Sequence, residues 1–334
     1  MIYRFLVIAV FLMFFTAHAL QAKPKYQFKV ASLAPDGSVW ITHFRDFAND
    51  VAEKSNGQIE MKLYPGGVMG DDLAMYRKLR AGQLHGGGFT MTGIGNAVPD
   101  YRVMSIPFYF NNYNEVDAVK KEMEPYFKDK FQQSGLELLA MTEVGFIYGM
   151  STEPTSTLND LQMRKSWIPS RDPIATEYFN ALNITPVPLS ISDVLPSLQT
   201  GLIDTVYTSL YGSIVMQWFS KAKFITDYPY GYAYGAVVFS NKAFSQLPND
   251  LAAMMRESAN IHFSALNKKT RETDFESRDV LLQNGVTFVQ ASEAMLQQLK
   301  SKKDEAVEQL IGQAISKETY DKVNSAVGKF RDTQ

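Results

Sequence analysis

From Asn159 to Tyr207 the chain reads as strand, turn, helix, strand, helix, and a short strand running into a loop. An order of this kind belongs to the α/β class. It places loop residues at the carboxyl ends of parallel strands, the edge where such sheets take up small molecules. Trp167 stands at the centre of the stretch, just before Ile168-Pro169. The residue type at that position decides which ligand chemistry the edge accepts.

The same alternation continues on both sides. Tyr26 to Leu33 has the period of a strand, and Asp36 or Ser38 caps a helix from about Trp40 to Ser55. Gln58 to Tyr64 is a second strand, and Asp71-Asp72 open a helix that runs through Leu84. Gly86-Gly87-Gly88 has neither a phosphate-loop nor a dinucleotide context, so close backbone packing is the reading preferred for it. Ile106 to Phe110 is a buried aromatic segment, and another helix opens at Asn114. Ser213 to Phe224 is helical, and from Pro248 onward the pattern is helical except for a short strand at Gly285–Val289.

Two long β runs, Leu136 to Met150 and Tyr228 to Ser240, divide the chain into halves that each return to the other. That pattern predicts two lobes joined by a hinge. The first lobe takes 24–144 and about 234–275. The second takes about 145–233 and 276–334, including C-terminal helices that span both.

Residues 1–22 form an export leader: Arg4 supplies charge, Phe5 to Phe15 the apolar core, and cleavage falls near Ala19 or Ala22. About 310 residues then remain, more than one core comfortably holds. The chain has no cysteine, which excludes a disulfide framework and lipid attachment at a mature N-terminal Cys. An exported, unanchored protein of this kind points to the periplasm. The formal charge of −2 becomes −3 when Arg4 leaves with the leader, and Lys and Arg are scattered, so nucleic acid is not an expected partner.

No catalytic constellation emerges. The three histidines beyond the leader, His43, His85 and His262, have no metal-ligand spacing, and no nucleophile elbow is present. Asp71-Asp72 sit at a helix start, where the helix dipole alone favours acidic residues. Neither a metal nor a cofactor is expected. The chain instead sets aromatic and neutral polar residues at strand ends: Trp40, Thr90, Thr92, Phe146, Tyr148, Trp167, Tyr207, Thr208, Tyr211, Tyr232 and Tyr234. A mostly apolar concavity with a few placed hydroxyls describes a ligand pocket. Core packing is the competing reading for any one of these aromatics.

Several segments together resemble the extracytoplasmic solute-binding proteins of TRAP transporters, the DctP family. They are KVASLAPDGSVW (29–40), YPGGVMGDD (64–72), RKLRAGQLHGG (77–87), IPFYF with NEVDAV (106–119), NDLQMRKSWIP through ALNITPVPLSISDVLPSLQTGLIDT (159–205), and VVFSNKAFSQLPND (237–250). They fall in family order and cover nearly the whole chain after the leader. The resemblance implies a two-lobed periplasmic binding-protein fold, with a central cleft, hinge strands and a long helix spanning both lobes. It implies a receptor rather than an enzyme, working as a monomer. Such a receptor captures a small organic solute, closes, and delivers it to the small and large membrane subunits of an ion-gradient-driven importer. A ligand that touches both lobes shifts the population toward the closed state. A periplasmic sensor, or an enzyme on the same scaffold, are the competing functions.

The departures from the family pattern bear on the ligand. Where relatives read roughly LKxRVP this chain reads RKSWIP, so Trp167 takes the position of the ligand-clamping arginine. A second frequent arginine corresponds to Ile147, and a frequent asparagine to Thr208. An arginine fork grips a carboxylate with two hydrogen bonds, whereas tryptophan offers one N–H and an apolar face. The expectation is therefore a pocket selective against simple dicarboxylates. Trp167, Phe146, Tyr148 and Tyr207 would stack on a ring or a cation, and Glu143 would balance a positive charge. Arg164 and Arg171 remain as substitute clamps. Arg171 follows Ser170 at a helix start, and it either contacts ligand, pairs with Asp172 or faces solvent.

Overall fold

The computed structural model describes residues 23–333, so the expected leader lies outside the described residues. Two long strands organise the molecule. β4 (Leu136–Ser151) and β8 (Phe224–Ser240) pair antiparallel from Leu136 opposite Ser240 to Ser151 opposite Phe224. At one end, β8 also pairs with β3 (Gly86–Thr90). β3 lies beside β1 (Tyr26–Ser32), and β1 beside β2 (Ile59–Tyr64). At the other end, β4 pairs with β7 (Thr205–Thr208) and β8 with β9 (Thr287–Val289). A bridge from Ser166 to Thr205 joins β7 to the small sheet of β5 (Trp167–Pro169) and β6 (Val187–Leu189). The result is a mixed α/β fold of two lobes, with β4 and β8 common to both.

Sequence determines the elements around the cleft in simple ways. α1 (Val39–Lys54) starts where Ser38 Oγ accepts the Ile41 N–H, and it buries Ile41, Phe44, Phe47 and Val51 at helical spacing. α2 (Asp72–Arg80) is capped by Asp71, which accepts the Ala74 N–H at 2.7 Å; it ends four residues before Leu84. The glycine run in β3 serves close approach, since a Cβ on Gly86 would stand 2.8 Å from the Phe239 ring and one on Gly87 2.7 Å from the Ala31 carbonyl oxygen. α3 (Met91–Ile94) and a 3-10 turn at Pro99–Ser105 then lead into α4 (Tyr113–Gln133).

In the second lobe, α5 (Leu158–Gln162) is closed by a capping box between Thr157 and Asp160. α6 (Pro173–Ala181) has Asp172 as its cap and Pro173 in its first turn. α7 (Ile191–Thr200) ends on left-handed Gly201. The helix expected over 213–224 is corrected: α8 spans Leu210–Val215, a 3-10 turn follows at Trp218–Ser220, and β8 starts already at Phe224.

After the short α9 (Asn241–Phe244) comes α10 (Asn249–Gln283), 35 residues or roughly 50 Å at helical rise. It packs along α1 in one lobe and α8 in the other, with β4 between them. α11 (Glu293–Leu310) lies on α6, where the Tyr178 hydroxyl donates to the Leu299 carbonyl at 3.1 Å. α12 (Lys317–Arg331) returns to α4, with Arg331 paired to Glu115 and Tyr126 bonded to Thr319 at 2.7 Å.

Candidate ligand-binding cleft

A cavity of about 290 Å³ opens where the carboxyl ends of β1 and β3 face β5, β7 and the middle of β8. Its walls are mostly aromatic and aliphatic. The volume lies near the lower end of the range for small-molecule sites. Of the residues expected there, Trp40, Thr90, Thr92, Glu143, Trp167, Tyr207, Thr208, Tyr232 and Tyr234 line it together. Phe146, Tyr148, Ser170, Arg171 and Tyr211 do not.

On the second-lobe wall the polar groups of Trp167 and Tyr207 are already satisfied, whereas the Trp218 indole N–H is buried without a partner. Trp167 is 3 % exposed, packs edge-on against Trp218 at 5.2 Å, and donates its only N–H to the Leu189 carbonyl at 3.0 Å. It offers the cavity ring surface and no donor. The Tyr207 hydroxyl lies 3.2 Å from Ser166 Oγ, and its ring stands between Phe179 and Tyr230. Burial pushes the Tyr207 hydroxyl well above the ordinary tyrosine range, with the neighbouring Tyr230 adding to the effect.

Glu143 requires a correction. Its backbone edge reaches the cavity, but its carboxylate, 2 % exposed, takes two hydrogen bonds from Arg271 at 2.7 and 2.8 Å, with Lys120 at 3.8 Å. It therefore balances protein cations rather than a ligand's charge. The expected roles of Phe146 and Tyr148 fail for a related reason. Register shifts between Glu143 and Gly145, and again around Tyr148, break the simple alternation of β4. Phe146 instead packs at 4.9 Å on Tyr113. Arg171, at φ 62°, is exposed and away from the cavity, and Ser170 stays with it outside. Arg164 is no substitute clamp either: it is half-exposed, on the turn after α5, and lines no part of the cavity.

Tyr211 has a different position of interest. Its hydroxyl accepts the Val39 N–H at 2.9 Å, and its ring lies 5.1 Å from that of Trp40, whose indole donates to the Glu143 carbonyl at 3.0 Å. The Tyr211 backbone N–H in turn donates to Asp274 of α10 at 2.9 Å. One side chain thus ties α8 of the second lobe to the first turn of α1 in the first. Burial raises the Asp274 carboxyl to about 6 despite hydrogen bonds from the 209–211 turn.

On the first-lobe wall, Thr90 donates its hydroxyl at 2.5 Å and its N–H at 3.2 Å to Asp72, whose pKa burial raises to about 7 against those hydrogen bonds. The polar groups that sequence reasoning missed are Asp172 on the cavity wall and Arg102 behind it. Asp172 lines the cavity at 6 % exposure, its Oδ1 accepting the Ile174 and Ala175 N–H groups at 3.0 and 3.1 Å. Arg102 is 5 % exposed, on the 3-10 turn behind Ser105 and Pro107. One signal in the sequence pointed to it: a single cation set within an apolar run, Tyr101 to Phe110. Among the described residues, no group of three or more His, Cys, Asp or Glu is placed to hold a metal. None of their helices is long and apolar enough to cross a membrane.

Comparison with known proteins accords with this geometry. The family of bacterial extracellular solute-binding proteins, family 7 (DctP), matches residues 30–313. A solute-binding protein of Chromohalobacter salexigens is 29% identical over 160 residues, 47% of each chain. The C4-dicarboxylate-binding periplasmic protein DctP of Rhodobacter capsulatus is 25% identical over 205 residues, 60% of this chain and 61% of that one. The matched stretches therefore span about half of the first relative's length and less than two thirds of the second's. The crystal structure of the sugar acid binding protein DctPAm from Advenella mimigardefordensis, in complex with galactonate, superposes with a TM-score of 0.86 at 22% identity. That superposition covers 92% of this chain and 99% of the other.

Proposed function

The chain belongs to the DctP family of extracellular solute-binding proteins, and from that premise we propose that it is the periplasmic receptor of a TRAP importer, capturing a small organic acid in the interlobe cleft. The observation that carries this reading is the cavity itself, lined from strand ends of both lobes and crossed by hinge strands they share. Relatives that bind a C4-dicarboxylate and galactonate support an acid as the class of solute. The partners are the small and large membrane subunits, to which the closed, loaded monomer delivers its solute. Residues 1–22 are the leader removed on export, with cleavage near Ala19 or Ala22.

The lobes follow the boundaries 24–144 with 234–275, and 145–233 with 276 onward. The last helix, 317–331, is reassigned to the first lobe because it packs on 113–133. Trp40, Thr90, Thr92, Trp167, Tyr207, Thr208 and Tyr234 are the proposed ligand-contacting set.

The test has two parts. Heat-denatured protein, after incubation with a panel of organic acids, should release an unmodified acid by mass spectrometry. Vesicles carrying both membrane subunits should take that acid up only with this protein and an ion gradient present. Release of a converted product, or uptake that ignores the protein, contradicts the reading.

A further inference from the structure

Arg102 is buried to 5 % exposure, yet its Nε has no partner, and its guanidinium makes no hydrogen bond or salt bridge with any described residue. The three other strongly buried charges around the cleft are all engaged. Asp72 is bonded to Thr90, Glu143 to Arg271, and Asp172 to the start of α6. A buried guanidinium without a partner is strongly unfavourable, and natural structures rarely keep one without a use. Its surroundings indicate the use. It is flanked by Ser105 and Met91, which line the cavity, and its Nε lies 2.7 Å from where a Cβ on Gly95 would stand. Tyr234 and Asp172, both lining residues, are within electrostatic reach. Arg102 is not itself among the lining residues but stands behind Ser105 and Met91, and with its Nε sealed and unpartnered the terminal NH2 groups are the ones left to meet an anion there.

We propose that Arg102 is the anion anchor of this cavity, holding the carboxylate of a monocarboxylic acid whose remainder is apolar or aromatic. This deepens the receptor reading above and rests on it. The terminal N–H groups donate to the carboxylate oxygens, a charge-assisted bond made strong by the dry surroundings. The tyrosine and tryptophan faces of β5, β7 and β8 take the acid's body. Asp172, acidic and on the opposite lobe, disfavours a second carboxylate. The anchor thus lies on a different turn and a different lobe from position 167, where Trp167 supplies only ring surface.

Calorimetric titration of the purified protein with phenylacetate, hexanoate, succinate and hexanamide tests this. Phenylacetate and hexanoate should bind, with succinate and hexanamide at least ~30-fold weaker, the loss of a buried charged hydrogen bond. Arg102→Met should weaken phenylacetate by ~100-fold, and Arg102→Lys should restore part of it. The second readout is the melting temperature without ligand. Arg102→Met should equal or exceed the wild type by about 2–4 °C, because the substitution removes a buried charge that has no hydrogen-bond partner. A methionine variant that binds the acids within threefold of wild type overturns the anchor. So does a fall of ~5 °C or more in its unliganded melting temperature, which would give Arg102 a partner in the scaffold. Binding of hexanamide as tight as that of hexanoate overturns the anchor and leaves the receptor reading standing. Failure to bind any of the four overturns the apolar monocarboxylate as ligand, while the receptor reading is overturned only if no acid of the wider panel is released or taken up.

Discussion

The two walls of the cleft differ in the polar groups they leave unpartnered, neutral on one and charged behind the other. On the second-lobe wall, the Trp167 indole donates to Leu189 and the Tyr207 hydroxyl is joined to Ser166, so the surface shown to a ligand is aromatic, and the buried donor left over there, Trp218 Nε1, is neutral. Behind the first-lobe wall, Arg102 is as deeply buried and carries no partner. A polar group that is buried and satisfied belongs to the scaffold. A neutral one that is buried and unsatisfied is a modest cost, whereas a buried guanidinium without a partner is a large one that a bound anion would relieve. The aromatic wall therefore supplies shape and area, and the charged turn supplies selection.

Substitutions can break that division, beginning with the scaffold. Glu143→Ala strands Arg271 against Asp117 alone and should destabilise the fold by about 3 kcal/mol, measured by urea unfolding, because it opens a buried, doubly bonded ion pair. No change would show that Glu143 is free to serve a ligand after all.

The next effect depends on pH. The Asp72 carboxyl titrates near 7 in the folded state and near its ordinary 3.8 when unfolded. Between those values the folded chain holds a proton that the unfolded chain releases, so stability falls as pH rises through the window and levels off above it. Between pH 5 and 8 the change amounts to about 3 kcal/mol, and Asp72→Asn should flatten most of it in urea titrations at those two pH values. Asp274, raised to about 6, adds a smaller slope of the same sign, so some slope should survive in that variant.

Tyr211→Phe removes the hydrogen bond to Val39 that joins α8 to α1. The expected result is about 1 kcal/mol, seen as roughly fivefold weaker ligand binding in calorimetry with little change in urea unfolding. An equal loss in both would make Tyr211 a core residue rather than a closure contact. Arg171→Ala, outside the cavity and exposed, should leave affinity within about twofold.

Much of the architecture was legible in the sequence because it rests on local rules. Ser38, Asp71 and Asp172 cap helices, the glycine run packs closely, and the two long β runs pair as shared strands. The site was legible only in part. Strand-end aromatics such as Trp167, Tyr207 and Tyr234 do meet at one cavity. Period-two reading failed at Phe146 and Tyr148, because bulges in β4 shift the phase and no local residue pattern announces them. Glu143 was misjudged because its partner, Arg271, is 128 residues away. Arg102 escaped sequence reading because a lone cation in the apolar run Tyr101 to Phe110 does not by itself say whether the fold buries it or turns it to solvent.

The central claim is that selection resides at position 102 and shape at position 167. Titrating phenylacetate into wild type, Trp167→Phe and Arg102→Met under one set of conditions tests it most directly. The account predicts affinity within about threefold of wild type for Trp167→Phe, which keeps ring surface and loses only a bond to Leu189, and a loss of ~100-fold for Arg102→Met. The reverse order, with the tryptophan variant losing the acid and the methionine variant keeping it, would contradict the account.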